Sequence, residues 1–196
     1  MFDKRLEAVA KEAARLRYDN PEEFREYLAA KKEAAKKLGF TGILPPNSLI
    51  HQYYHEIADV FEGKENREQL LYDMREEALR FMTILKDFNP KVIGSVERGD
   101  VTKKSDVDIH VFVDDDYEEV LDVLNDHLIQ YEYYIDEVKE GDEKVQYHHI
   151  YIKHEFDIEI SMYIKDEYKQ QTCSIFGKPI KGIGIKQLEK LLNVKD

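Results

Sequence analysis

Residues 106–113 read Asp-Val-Asp-Ile-His-Val-Phe-Val, and that strict alternation commits the stretch to a β-strand. Strand side chains point alternately to opposite faces. Val107, Ile109, Val111 and Val113 therefore share one face, and Asp106, Asp108, His110 and Phe112 share the other. The first face must be buried under other elements. The second holds two carboxylates side by side, which repel unless something positive lies between them. A divalent cation answers that need. Hard carboxylate oxygens suit Mg²⁺, or Mn²⁺ in its place, with positions left for water and phosphate oxygens.

The chain ahead of this strand has a helical texture. Asp3 to Arg17 places Leu6, Val9, Ala10, Ala13 and Leu16 on one stripe. Asn20, Pro21 and Glu23 form a capping-box start for a second helix ending near Gly39. Ser48 can cap a third helix to about Phe61. A fourth runs from about Glu65 to Asp87, with Leu71, Met74, Ala78, Phe81, Met82 and Leu85 on its apolar face, and Asn89-Pro90 stops it.

Beyond Pro90 the pattern is one of short strands: 91–93, 107–113, 131–138, 145–153 and 156–163. The third and fourth form a hairpin about Glu140-Gly141-Asp142. A helix capped by Asp114-Asp115-Asp116 carries Val120, Leu121, Leu124 and Leu128, and a last helix covers 185–192. The expected fold is α+β, a helical N-terminal segment packed on a small mixed β-sheet. The expected division is a helical extension over 1–89 and a sheet-bearing domain over 90–196.

Two further groups can join the acidic pair. Gly94 follows a short strand and allows close backbone approach to an anion; backbone N–H groups at a helix start, the Ser95 hydroxyl and the Arg98 guanidinium can hold phosphate. Arg98 can equally form a surface ion pair. In Phe156-Asp157-Ile158-Glu159-Ile160 the two acids share a face. If this strand neighbours 107–113 it supplies a third carboxylate, as metal ligand or general base for a two-metal phosphoryl-type transfer. Glu159 is favoured for that post, since Asp157 lies nearer the strand end.

Val92-Ile-Gly94-Ser95, ten residues, then Asp106-Val-Asp108-Ile, followed by a later acid-bearing strand, resembles the pattern of the DNA polymerase β-like nucleotidyltransferase superfamily. The resemblance covers about 90–192, and Ile175 to Ile180 resembles the tail of small prokaryotic members. It implies a sheet of the nucleotidyltransferase type. It also implies a triphosphate held by Gly94 and Ser95, and Mg²⁺ or Mn²⁺ held by Asp106, Asp108 and a third acid. The activity it implies is transfer of a nucleoside monophosphate, from ATP or another nucleoside triphosphate, to an unknown hydroxyl-bearing acceptor. Alternatives are an antitoxin-like enzyme that modifies a partner protein with AMP, an antibiotic-modifying enzyme, and a non-catalytic nucleotide-binding or interaction module.

Charge narrows the acceptor. Residues 1–89 hold 15 Lys/Arg against 17 Asp/Glu, whereas 90–196 hold 14 against 24. The motif-bearing half is strongly acidic, which disfavours nucleic acid and favours a small molecule or a protein. The single cysteine, Cys173, excludes an internal disulfide, and the charged stretch Met1 to Leu16 lacks the apolar run of a signal peptide. Together they predict a cytoplasmic protein with no membrane partner. His148, His149 and His154 do not suggest zinc, because alternation splits the first two and no cysteine joins them. His110 shares the face of Asp108, where it can reach substrate or sit inert. Lys103 and Lys104, in the loop before the aspartates, can meet phosphate or solvent.

Overall fold

The computed structural model describes residues 4–140, 143–166 and 168–193. They fall into two compact units, Met1–Arg67 with Thr172–Pro179, and Glu68–Gln171 with Ile180–Asp196.

The first unit holds α1 (Lys4–Asp19), α2 (Tyr27–Lys37) and α3 (Asn47–Glu62), with α1 packed on both of the others. Ala10, Ala13, Ala14, Ala30 and Ala34 are fully buried, and such small side chains let helix axes approach closely. The second helix does not start at Pro21 as the capping box predicts. Residues 21–24 make an isolated turn, closed by the Phe24 N–H on the Asn20 carbonyl at 3.1 Å. The Arg17 guanidinium takes the carbonyls of Phe24 and Arg25, so those groups are turned to a side chain rather than into a helix. The segment Thr172–Pro179 doubles back on itself, with the Cys173 N–H on the Lys178 carbonyl at 2.8 Å, and Asn47 holds the Ser174 carbonyl at 2.7 Å.

The second unit contains most of α4 (Lys64–Ile84), a 3-10 turn (Lys86–Phe88), β1 (Lys91–Val92), α5 (Gly94–Arg98) and β2 (Val107–Val113). After these come α6 (Glu118–Asp126), β3 (Glu132–Glu140), β4 (Glu143–Lys153), β5 (Asp157–Ile164) and α7 (Ile185–Leu192). The turn expected at Gly141 and Asp142 lies outside the described residues. The N-cap of α6 is Tyr117 rather than the Asp114–Asp116 run, but Asp116 Oδ1 accepts the Glu118 N–H at 2.8 Å just ahead of the helix.

The strands form one mixed sheet in the order β1-β2-β5-β4-β3. Only β2 and β5 run parallel; the other neighbours are antiparallel. One face of the sheet is buried. Val107, Ile109, Val111, Ile150, Ile152, Ile158, Ile160 and Met162 share a core with Met74, Ala78, Phe81, Met82 and Leu85 from α4 and the turn after it, and with Val120 and Leu124 of α6. Compactness therefore divides the chain at Arg67 rather than at Pro90: the apolar stripe of α4 is the roof of the sheet. No helix among the described residues is long and apolar enough to cross a membrane.

Phe81 is 1% exposed in the middle of that roof, whereas Val60 of α3 is 80% exposed. Phe81→Ala should cost about 3–5 kcal/mol in urea-unfolding free energy, and Val60→Ala less than about 0.5 kcal/mol. Equal effects would show that α4 does not carry the sheet's core.

Candidate active site

The other face of the sheet is polar. Pairing β2 with β5 in parallel sets Asp108 beside Glu159 and His110 beside Ser161. β4 adds Tyr151 opposite Glu159 and His149 opposite Ser161. Ligand oxygens of Asp106, Asp108 and Glu159 all lie within 4.8 Å of one another. Three carboxylates this close are an all-oxygen, strongly anionic set, and such a set fits a hard divalent cation.

Asp157 does not join them. It is the first residue of β5 and exposed, and its carboxylate takes the Tyr151 hydroxyl. That hydrogen bond, with some desolvation behind it, pushes the Tyr151 phenol up to about 12. The structure thus groups Glu159 with the aspartate pair and leaves Asp157 at the strand end.

On the far side of Asp108 lies Gly94. The Ile93 N–H bonds the Asp108 carbonyl at 2.9 Å, which draws the chain alongside β2. Gly94 then turns with φ +70°, and a Cβ placed on it would sit 2.2 Å from Asp108 Oδ2. Both the backbone angle and the space demand glycine here. Ser95 follows in the first turn of α5, a five-residue helix that Gly99 ends at φ +81°. The Ser95 carbonyl accepts the N–H groups of Gly99 and Asp100 at 2.8 and 3.1 Å. Arg98 Nε pairs with Asp100 Oδ2 at 3.0 Å, so a phosphate at Arg98 would have to share the guanidinium with that carboxylate. The Thr102–Ser105 turn, closed by the Ser105 N–H on the Thr102 carbonyl at 2.8 Å, carries Lys103 and Lys104 outward and delivers Asp106.

His110 is 4% exposed and meets the Tyr163 ring edge-on, with centroids 4.8 Å apart. Burial pushes its imidazole down to about 4; His149 adds to the effect and Glu159 opposes it. It is therefore neutral at pH 7. The three later histidines separate. His148 stacks on Tyr117 at 3.8 Å on the core side, and His154 pairs with Glu77 of α4. His149 lies on the open face, with Nδ1 at 3.0 Å from Glu159 Oε1. Nothing in the sequence marks this contact. It depends on the β4–β5 register, which alternation alone does not supply.

Residues 90–176 match the family described as the nucleotidyltransferase domain. No curated protein matches the chain. Two solved structures are similar to part of it. One is a cytoplasmic RNA terminal U-transferase, 18% identical with a TM-score of 0.31, covering 57% of this chain and 34% of that one. The other is the Cid1 poly(U) polymerase with MgGTP bound, 16% identical with a TM-score of 0.33, covering 57% and 38%. The chain thus spans little more than a third of the length of either.

Gly94 and Gly39 make a matched pair for testing the close approach. Both have positive φ, but a Cβ at Gly39 meets nothing within 4 Å. Gly39→Ala should cost only backbone strain, about 1–2 kcal/mol. Gly94→Ala should in addition displace Asp108 and weaken Mn²⁺ binding, read by calorimetric titration, by at least about tenfold. Wild-type Mn²⁺ affinity in Gly94→Ala would show that the contact with Asp108 is not required.

Proposed function

We propose that this chain, whose residues 90–176 match the nucleotidyltransferase domain family, moves a nucleoside monophosphate from a nucleoside triphosphate to a hydroxyl-bearing acceptor. The observation that carries the reading is the convergence of Asp106, Asp108 and Glu159 beside Gly94. A new bond forms between the acceptor oxygen and the α-phosphorus, the α–β phosphoanhydride bond breaks, and pyrophosphate leaves.

The residues divide this work by position. Gly94 and Ser95 receive the triphosphate, with its β- and γ-phosphates toward the start of α5. Arg98 adds a donor by exchanging Asp100 for phosphate. Asp106 and Asp108 hold Mg²⁺ or Mn²⁺, and Glu159 completes the set. When bound, the cation would neutralise charge on the triphosphate and favour loss of the acceptor's proton. Glu159 stands on the side of Asp108 away from Gly94, opposite the departing pyrophosphate. The acceptor hydroxyl therefore approaches over β5, and the Glu159 carboxylate takes its proton. Asp157, occupied by Tyr151, stays outside the chemistry.

The acidic balance of residues 90–196 favours a small-molecule or protein acceptor over nucleic acid. An antitoxin-like AMP transfer to a partner protein would use the same residues.

Incubation with each of ATP, GTP, CTP and UTP, with Mg²⁺ or Mn²⁺, should release pyrophosphate with at least one of them. Asp106→Asn and Asp108→Asn should abolish release with the fold intact by circular dichroism. Glu159→Gln should lower it by about 10²–10⁴-fold, whereas Asp157→Asn should keep it within about threefold of wild type. No pyrophosphate with any triphosphate, together with no metal-dependent thermal shift, sinks the enzymatic reading. Equal losses in the Glu159 and Asp157 variants would reject the assignment of the third carboxylate.

A further inference from the structure

His149 is held from three directions. Its Nδ1 lies 3.0 Å from Glu159 Oε1 and 3.1 Å from Ser161 Oγ. Its ring lies flat against Tyr134 of β3, with centroids 5.1 Å apart and planes 14° from parallel. In-plane polar contacts at one nitrogen and a stacked ring across the plane together fix an imidazole's orientation. The side chain is 14% exposed.

Glu159 needs such support. Its neighbours Asp106 and Asp108 carry like charge, and their repulsion opposes the convergence of the three carboxylates. β4 meets the two acids of β5 with different partners, Tyr151 for Asp157 and His149 for Glu159. A phenol ties Asp157 down at the strand end, while an imidazole nitrogen meets Glu159.

We propose that His149 is a positioning residue for Glu159: its Nδ1–H donates to Oε1 and fixes how the carboxylate is turned beside Asp106 and Asp108. The role rests on reading those three acids as a metal centre. It asks only for a neutral ring with its hydrogen on Nδ1, so no change of charge is involved. Ser161 can rotate its hydroxyl to suit the same nitrogen.

The test is Mn²⁺ titration of the full chain, followed by electron paramagnetic resonance. His149→Phe keeps the flat ring over Tyr134 and removes the donor; Mn²⁺ should bind about 10–100-fold more weakly. His149→Asn puts an amide N–H near the lost Nδ1–H and should recover most of that affinity, although it removes the stacked ring. A merely structural role predicts the reverse order, with Phe the better replacement. Wild-type affinity in His149→Phe, or equal weakness in both variants, overturns the proposal. A second measurement does not depend on any variant folding: ¹⁵N spectra of the metal-free wild-type protein should show His149 protonated at Nδ1, and a bare Nδ1 overturns it. If the wild-type chain itself binds no Mn²⁺, the metal-centre reading fails and takes this role with it. If the wild type binds and His149→Phe binds equally well, only the role of His149 fails.

Discussion

The parallel ladder between β2 and β5 sets Asp108 against Glu159, and the polar face of the sheet is arranged around that contact. A slip of one residue would put Glu159 opposite Val107 or Ile109 and turn it into the core, because strand side chains change face at every step. What resists the slip is the other face. Val107, Ile109 and Val111 lie beside Ile158, Ile160 and Met162, and all six are at most 1% exposed. Burying such a side chain contributes about 1.5–3 kcal/mol. Two like charges some 5 Å apart cost on the order of 3 kcal/mol at an effective dielectric of about 20. Six such side chains together match or exceed the repulsion among the three acids, so the apolar face holds the acidic face in register.

Gly94 works from the opposite edge. β1 is only two residues long, yet it lies between β2 and Ile183, which exchanges backbone hydrogen bonds with Val92 at 2.9 and 3.0 Å. That short, doubly bonded strand brings the chain to Asp108 at a point where any side chain would have to displace the carboxylate. Backbone stands on one side of the acids and β5 with β4 on the other. This asymmetry gives the proposed transfer its direction, with phosphate toward Gly94 and the acceptor toward Glu159.

Much of this was legible in the sequence because its physics is local. Alternation in 107–113 gave β2 and the common face of Asp106 and Asp108, and the stripe through Met74, Ala78 and Phe81 gave α4. Gly94, Gly99 and Asn89-Pro90 marked turns through backbone angles that other residues resist. What was not legible depended on partners distant in the chain. Alternation puts Asp157 and Glu159 on one face, and it is Tyr151 and His149 of β4 that give them different partners. The boundary at Pro90 followed a change in texture, whereas compactness follows the burial of α4. The false start at Pro21 had all its local signals, and it was Arg17 that claimed the carbonyls.

The uneven charge of the chain gains meaning beside this geometry. Proteins that bind polyanions by their surfaces do so with Lys and Arg, releasing counterions. Here the half that carries the acids has an excess of Asp and Glu, and Arg98 is already paired with Asp100. A triphosphate approaching the bare site would meet net repulsion. On the proposed reading the cation has to come first or come with the nucleotide, and nucleotide affinity is set by how well the three carboxylates hold it. Small displacements of Asp108 or Glu159 then act on cation and nucleotide together. On that reading the carboxylates are set from both sides, by a glycine where a methyl group would displace Asp108 and by a stacked imidazole against Glu159.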